Sequence, residues 1–264
     1  MGIVFAGIAP HGFPLIRELS EGAEGALATR AALVELGRRA VSADVEANVI
    51  AGPHGVRVDG HVALASTGRA AGDLAWKGRQ VEMNVPIDLP LTDRIASAAR
   101  AADVPVAMTG FGGNRRDQAV LPLDWGMLVP LWFLGHNQNL PGSGNVLAAP
   151  PQEETGPPVV LVSPSRLLPR DALVAFGRAV ADASEADGRR IAFIASCDWA
   201  HTHAENGPYG FQPSAKEVDD VVVDAVRRNA LEAIGALTDE QAATAAIDGL
   251  WQTLVLQGIL ERVP

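Results

Sequence analysis

The sequence has only one cysteine, Cys197, among its 264 residues. A single thiol excludes an internal disulfide framework and cannot by itself form a thiolate metal site. The sequence also lacks any run of 18 or more consecutive apolar residues, and its first residues lack the basic region of a secretory signal. We therefore expect a cytoplasmic protein with no membrane segment.

Positive charge is in the minority: 21 lysines and arginines stand against 31 acidic residues, which gives a formal net charge of −10. The acidic residues are spread along the chain instead of forming a tail. Nucleic-acid binding requires a basic face that can contact phosphates, so this charge balance argues against a nucleic-acid partner. Hydrophobic residues make up 48% of the chain, which is enough for a sizeable core.

Apolar runs that read as strands alternate with alanine-rich stretches of helical period. The predicted strands are Ile3–Ile8, Ala47–Ala51, Val62–Ser66, Val104–Thr109, Val159–Val162 and Ile191–Ser196, and the predicted helices between them are Gly25–Ala40, Leu91–Ala102 and Arg170–Ala183. This alternation predicts an α/β fold, a single domain over residues 1–264 with a largely parallel central sheet covered by helices.

Two further features complete this organisation. Residues 137–158 are rich in proline, glycine and polar residues and are predicted to form an irregular surface loop. From Ser214 onward the pattern is helical, with predicted capping boxes at Ser214 to Glu217 and at Thr238 to Gln241.

Four of the six histidines stand shortly after apolar runs. His11 and His54 each stand between a proline and a glycine just after an apolar run, and His201 and His203 follow a third run. A histidine in such a turn is commonly only a turn residue. Ligand chemistry in open α/β sheets nevertheless gathers at the carboxyl ends of strands, and three strand ends here carry imidazoles. His61 is interpreted as a strand histidine and His136 as a turn residue.

Imidazoles that converge from several strand ends favour a divalent metal site. Two imidazoles and one carboxylate are typical of non-haem iron(II) sites that react with oxygen. Similar ligands hold zinc with a bound water in hydrolases. The ligand types alone leave both possibilities open.

Several short motifs occur in an order that resembles the class III extradiol ring-cleavage dioxygenases, the LigB-like superfamily. They are Pro10–Gly12, Gly52–Gly55, "LDWGMLVPL" at Leu123–Leu131, "SCDWAH" at Ser196–His201 and the closing stretch "DGLWQTLVLQGIL". The resemblance covers the whole chain. It implies an α/β domain with iron(II), Fe²⁺, held by two histidines and a carboxylate, and it identifies His11 and His54 as the two imidazole ligands.

The resemblance places the third ligand on the segment that leads into the closing helix, where the matching acid is Asp248. Asp248 interrupts an apolar run, and an unpaired carboxylate there would be costly to bury unless a metal compensated its charge. The alternative is that Asp248 is a helix N-cap, a position that aspartate favours. The usual ligand of the family is glutamate, so the side chain here is one methylene shorter.

Other site residues follow from the same resemblance. His201 is similar to an acid–base or oxygen-orienting histidine above the metal, and an ordinary histidine pKa of about 6.5 suits proton transfer near neutrality. Asp198 would orient an imidazole or cap a helix. His203 is either a substrate contact or an incidental loop residue.

One position departs from the ring-cleaving pattern. Those proteins commonly have Asp-His-Gly where this chain reads Asp124-Trp125-Gly126. An indole cannot act as a base and offers one hydrogen-bond donor. Trp125 is therefore either a wall of the substrate pocket or a core residue.

The expected function is iron(II)-dependent cleavage of an aromatic diol or related ring with O₂. The alternatives are a MEMO-like metal- or ligand-binding protein without dioxygenase activity and a hydrolase that uses zinc, Zn²⁺, in the same site. The expected partners are a small aromatic substrate, O₂ and further copies of the chain in a homo-oligomer.

Overall fold

The computed structural model describes residues 1–20, 26–147 and 156–263. Nine strands form within these ranges: β1 Gly2–Ala9, β2 Ala47–Ala51, β3 Val62–Ala65, β4 Arg69–Trp76, β5 Arg79–Pro86, β6 Val106–Thr109, β7 Val120–Pro122, β8 Val159–Pro164 and β9 Arg190–Ser196. The α-helices are α1 Leu27–Ser42, α2 Leu89–Ala101, α3 Trp125–Phe133, α4 Arg170–Asp187, α5 Ser214–Arg228, α6 Glu232–Gly235, α7 Asp239–Thr244 and α8 Leu250–Leu260.

Six strands form the central sheet, in the order β1-β9-β2-β8-β3-β6. The neighbours β1, β9, β2 and β8 are all parallel to one another. β3 runs antiparallel to β8, and β6 pairs in parallel with β3. Every residue of β2, β3 and β8 is buried, as expected where helices cover both faces of a parallel sheet. The prediction of a single α/β domain with a mostly parallel sheet is confirmed.

Alternate residues of the central strands face two different cores. Val49 and Ala51 of β2 belong to the core beneath α2, α4 and α8, whereas Ile50 belongs to the core beneath α1 and α3. This division follows from the two-residue period of a strand. The protein therefore has three layers, with the central sheet in the middle.

The structure also contains a second sheet that the sequence did not predict. β4 pairs with β5 and β7 to form three strands that pack on the α1 and α3 side. β4 and β5 are joined by Lys77 and Gly78, which have φ values of 49° and 77°. Two positive φ angles are typical of a type I′ hairpin turn, and the usual sequence signals of that turn are Asn-Gly and Asp-Gly, which are missing here.

The predicted helices agree with the structure to within a few residues, except that Gly25, at the start of the first, lies outside the described residues. The capping box from Thr238 to Gln241 is confirmed. The one predicted at Ser214 is wrong: Pro213 occupies the N-cap position, and the Ser214 hydroxyl donates to Thr244 Oγ1 instead. 

Two further expectations concern loops. The interpretation of His61 as a strand residue is wrong, because His61 lies in a bend one residue before β3. His136 lies buried just beyond the turn that follows α3. Residues 137–147 and 156–158 contain turns and bends without helix or strand, and residues 148–155 lie outside the described ranges. No helix in the described part of the chain is both long enough and apolar enough to cross a bilayer.

Candidate metal centre

The carboxyl ends of three parallel strands bring the predicted residues to one edge of the central sheet. His11 lies two residues beyond β1, His54 three residues beyond β2, and Asp198 two residues beyond β9. Asp248 comes from the segment just before α8. Since β1, β9 and β2 are adjacent and parallel, their ends necessarily meet.

His11, His54 and Asp248 converge on one point although they are far apart in sequence. The His11 and His54 Nε2 atoms are 3.2 Å apart, and Asp248 Oδ2 lies 3.3 Å from each of them. The side chains of His11 and Asp248 are 2% and 6% exposed, and that of His54 is 25% exposed. The three donor atoms thus form a nearly equilateral triangle that is open on the His54 side.

The shape of this triangle fits a metal ion. Ligands about 2.1 Å from an ion and about 100° apart would be about 3.2 Å from one another. Three electron-rich atoms at such distances repel unless a proton or cation lies between them. Two imidazoles and a carboxylate are, in addition, a donor set that divalent iron and zinc both accept.

A hydrogen-bond chain behind His11 fixes which ring nitrogen faces this point. The Ser196 hydroxyl donates to the Gly126 carbonyl, which can only accept. Ser196 Oγ therefore accepts from the Nδ1–H of His11, at 3.0 Å. In the neutral imidazole, that assignment leaves Nε2 of His11 without a proton, as a metal ligand requires.

Asp198 and Asp248 connect the strand ends to the segment before α8. The His11 backbone N–H donates to Asp198 Oδ1 at 3.0 Å, and the Asp198 backbone N–H donates to Asp248 Oδ1 at 2.9 Å. The N-cap of α8 is Gly249, without a side-chain cap. The alternative in which Asp248 is an N-cap is therefore wrong.

The charges in the centre reinforce one another. Burial is the largest influence on the pKa of Asp248 and raises it, but contacts with His11 and His54 outweigh burial and hold that pKa well below its usual range. For His11, burial lowers the pKa, and the neighbouring Asp248 and Asp198 more than compensate, so that its pKa is raised. Asp248 is consequently a carboxylate at neutral pH.

Cys197 does not take part in the centre. Its thiol is fully buried, donates to the Gly249 carbonyl at 3.4 Å and has a pKa raised by burial. A thiol in this state is a poor metal ligand, because ligation requires the thiolate.

His201 lies beside the centre with its tautomer also fixed. Its Nδ1 is 2.7 Å from the Ala246 carbonyl oxygen, so Nδ1 carries the proton and Nε2 is left as an acceptor. Ala246 has a φ of 53°, which is uncommon for a residue other than glycine and turns its carbonyl toward the ring. The ring of Tyr209 packs next to that of His201, with centroids 5.1 Å apart.

A cavity of about 540 Å³ opens above the three donor atoms. This volume suits a small aromatic molecule. Its lining comprises His11, His54, Trp125, Arg166, Asp198, His201, Tyr209, Asp239, Ala242, Ala243, Ala246, Ile247, Asp248 and Trp251.

Trp125 belongs to this cavity. It is the first residue of α3, is 39% exposed and stacks on the His54 ring at a centroid distance of 4.3 Å and an angle of 24°. The neighbouring Gly126 allows this approach, since a Cβ there would lie 3.1 Å from Cδ2 of His54. The Asp-Trp-Gly stretch is therefore at the site, as its resemblance to Asp-His-Gly implied.

The structure does not bring His203 to the cavity. Its side chain is half exposed, and its Nε2 lies 2.9 Å from the carboxylate of Asp219. The same carboxylate accepts from the Ala200 backbone N–H at 3.1 Å. His203 thus holds the loop after β9 in place instead of facing a substrate.

Sequence reasoning missed four residues of the site: Ser196, Arg166, Tyr209 and Trp251. Ser196 is the last residue of β9, and Arg166 follows β8, whose carboxyl end lies at the same edge. The strand-end rule that found the histidines would have found both. Tyr209 and Trp251 come from a loop and a helix that only the tertiary fold places there.

Comparisons with known proteins agree with this geometry. The family model described as the catalytic LigB subunit of aromatic ring-opening dioxygenase matches residues 9–263. Protein CA_C1420 of Clostridium acetobutylicum is 25% identical over 214 residues, which cover 81% of this chain and 42% of that protein. This chain thus spans less than half the length of that relative.

A solved structure extends the comparison to the fold. The crystal structure of an uncharacterized protein, JW3007, from Escherichia coli K12 superposes with a TM-score of 0.51 at 15% identity. The superposition covers 86% of this chain and 80% of that one. At this identity the likeness concerns the fold alone.

Proposed function

This chain belongs to the LigB family, the catalytic subunits of aromatic ring-opening dioxygenases, and from this premise we propose that it is a non-haem iron(II)-dependent extradiol dioxygenase. Its substrates would be O₂ and an aromatic diol or a related ring. The observation that supports this most is the triangle of two imidazole nitrogens and one carboxylate oxygen on the floor of an aromatic-walled cavity.

His11, His54 and Asp248 would hold the metal through Nε2, Nε2 and Oδ2. Iron(II) bound by two histidines and one carboxylate would supply the chemistry by which a diol reacts with O₂. Ser196 keeps His11 in the tautomer that binds metal. Asp198 is a positioning residue, since its backbone and carboxylate tie the His11 and Asp248 segments together.

His201 would move the proton. Its Nε2 is the ring nitrogen left available once Nδ1–H has been donated to Ala246, so it can accept a proton from a substrate hydroxyl and return it later. Tyr209, whose ring contacts that of His201, would help to fix the orientation of the imidazole. Trp125 and Trp251 would flank the aromatic substrate and displace water from the cavity.

A second candidate function rests on Trp125. An indole stands where ring-cleaving relatives commonly have a histidine, so a titratable group is missing from the wall nearest His54. This observation favours a MEMO-like protein that binds a metal or ligand in the same cavity without cleaving a ring.

Oxygen uptake tests the proposal. The protein is purified anaerobically, its metal content is determined, iron(II) is restored, and O₂ consumption is measured with a panel of substituted catechols. Consumption equimolar with ring-opened product supports the dioxygenase. Metal binding without uptake for any diol favours the second candidate, and ester or amide hydrolysis with zinc would assign the centre to hydrolysis instead.

A further inference from the structure

Arg166 stands in the cavity wall close to the proposed metal centre. It follows β8, two residues beyond the strand end, and its guanidinium carbon lies 4.5 Å from the centre of the Trp251 ring. Trp251 is in the first turn of α8, three residues after Asp248. Both side chains line the cavity whose floor contains the three donor atoms.

The Arg166 guanidinium has no carboxylate partner among the described residues. Its recorded interactions there are the contact with Trp251 and longer-range effects of Asp248 and Arg57. Arg170, four residues later, differs completely, because it binds the carbonyls of Gly235 and Leu237 and the carboxylate of Asp239. The donors of Arg166 are therefore available to a ligand, whereas those of Arg170 are used within the fold.

The stack on Trp251 prepares Arg166 for binding. A guanidinium over an indole face is held by cation–π attraction, which leaves its edge N–H groups free in the plane of the fork. That fork matches the two oxygens of a carboxylate and stays charged at every physiological pH. A side chain that is already oriented loses less conformational entropy when the ligand binds.

The rest of the lining makes the position of this cation significant. The protein has a net charge of −10, and the cavity also contains Asp198, Asp239 and Asp248. Asp239 is paired with Arg170, and Asp248 faces the proposed metal. Among the side chains of the described lining, Arg166 is thus the arginine whose positive charge could pair with an anionic group of a ligand.

We propose that Arg166, stacked on Trp251, binds a carboxylate substituent of the substrate and makes the cavity selective for aromatic acids over neutral aromatics. The inference rests on the proposed function insofar as that function makes this cavity the substrate site. Trp251 and Trp125 would contact the faces of the ring, and Arg166 would fix its orientation relative to the metal.

Equilibrium binding of a non-reacting pair tests the inference. Benzoate and benzamide have the same shape and differ in charge, and neither is a diol, so no ring cleavage is needed. With metal-loaded protein in a calorimeter, benzoate should bind about tenfold or more tightly than benzamide, as expected for a charge-assisted hydrogen-bonded pair.

Variants then identify the residue responsible. Arg166→Met should abolish the preference for benzoate with little effect on benzamide, and Arg166→Lys should retain part of it. The matched control is Arg178→Met, because Arg178 pairs with Glu261 away from the cavity, and it should leave both affinities unchanged. Thermal unfolding of each variant checks that the fold is intact.

The outcomes separate this inference from the proposed function. Equal affinities for benzoate and benzamide would overturn the inference, and so would a preference for benzoate that survives in Arg166→Met, since the acid would then bind elsewhere, for example at the metal. Selective acid binding without O₂ uptake on any diol would support the anion site and refute the dioxygenase. Ring cleavage of a diol without any preference for acids would support the dioxygenase and refute the anion site.

Discussion

At the scale of single residues, the hydrogen bond that one ring nitrogen of a histidine makes determines whether the other nitrogen can accept a proton or bind a metal. His11 donates through Nδ1 to Ser196, and His201 donates through Nδ1 to the Ala246 carbonyl. Both neutral rings therefore offer Nε2 as an acceptor; that of His11 belongs to the donor triangle, and His201 lines the cavity. His203 has its Nε2 on Asp219, which explains why a histidine only two residues away has no place at the site.

Replacing Ser196 with alanine should weaken metal binding without removing a ligand. The His11 Nδ1–H loses its acceptor, so the imidazole is less well oriented and less basic, and such outer contacts typically contribute about 10- to 100-fold in metal affinity. Competition with a chelator measures the change. Ser184→Ala is the control, since Ser184 is a buried serine of α4 away from the site. Similar effects of both variants would contradict the role given to Ser196.

A metal assay should distinguish the proposed ligands from the proposed acid–base residue. His11→Ala removes one of the three proposed ligands and should abolish stoichiometric metal binding. His201→Ala should keep the metal and lower turnover by about 10² to 10⁴, the usual contribution of a general acid or base. Metal content and rate are measured on the same preparations. A His201 variant that also loses its metal would make His201 a ligand.

Trp125 should limit turnover of simple catechols. Its indole stacks on His54, takes volume that a histidine would leave free and cannot accept a proton from a substrate hydroxyl. Plain catechol should therefore be cleaved slowly or not at all, and Trp125→His should increase the rate in an oxygen electrode. Trp125→Phe keeps an aromatic wall without the imidazole and should show no gain. Rapid cleavage of catechol by the unmodified protein would contradict this reasoning.

The sequence predicted those residues of the site that carry a local signal. His11 and His54 stand in Pro-His-Gly turns, and Asp248 is a lone acid in an apolar run, so each is conspicuous within a few positions. Arg166 and Ser196 are ordinary residues in ordinary surroundings. Their positions at strand ends could have marked them, but their residue types carry no signal of their own, and their roles depend on which strands lie side by side in the sheet.

At the scale of elements, the two sheets differ in how clearly the local sequence predicts their strands. The central strands are short apolar runs between turns, a pattern that predicts buried strands. β4 reads "RAAGDLAW", with alanine, glycine and aspartate where strands usually have branched or aromatic residues. It forms because β5 pairs with it across the Lys77–Gly78 turn and because Leu74, Val81 and their neighbours are buried against α3.

α4 and α8 cross with their backbones in close contact. A Cβ added to Gly177 would lie 2.0 Å from the Val255 carbonyl oxygen, and one added to Gly258 would lie 2.0 Å from that of Val174. Backbone atoms of the opposite helix cannot move aside as a flexible side chain can. Glycine at both positions is therefore required by the packing.

Gly177→Ala and Gly258→Ala should each destabilise the protein by about 3 kcal/mol, at the upper end of the about 1 to 3 kcal/mol that forced overpacking commonly costs, because the clash is with backbone atoms. Helix propensity alone predicts the opposite effect, namely that alanine in place of glycine would stabilise the protein by about 1 kcal/mol. Urea unfolding monitored by circular dichroism distinguishes the two. Gly110→Ala, where the nearest atom would be 3.9 Å away, is the control and should have little effect. A stabilised Gly177 variant would refute the crossing geometry.

At the scale of the whole molecule, the centre joins segments that are distant along the chain. Its three donor atoms come from residues 11, 54 and 248, and the hydrogen bond from the Asp198 backbone N–H to the Asp248 carboxylate links the end of β9 to the start of α8. The unfolded chain has no comparable arrangement of donors. A metal that binds only the native state must therefore stabilise the entire fold.

Removal of the metal should thus lower the melting temperature of the unmodified protein. At a free metal concentration 100 times Kd, the native state gains about 2.7 kcal/mol. For a domain of this size, each kcal/mol moves Tm by roughly 2 to 4 °C, so a chelator should lower Tm by about 5 to 10 °C. Restoring iron(II) under anaerobic conditions should reverse the shift, and its dependence on metal concentration gives Kd. His54→Ala, which lacks one donor of the triangle, should melt at one temperature with or without metal. If neither chelator nor added metal changed the Tm of the unmodified protein, the three donor atoms would not form a metal site.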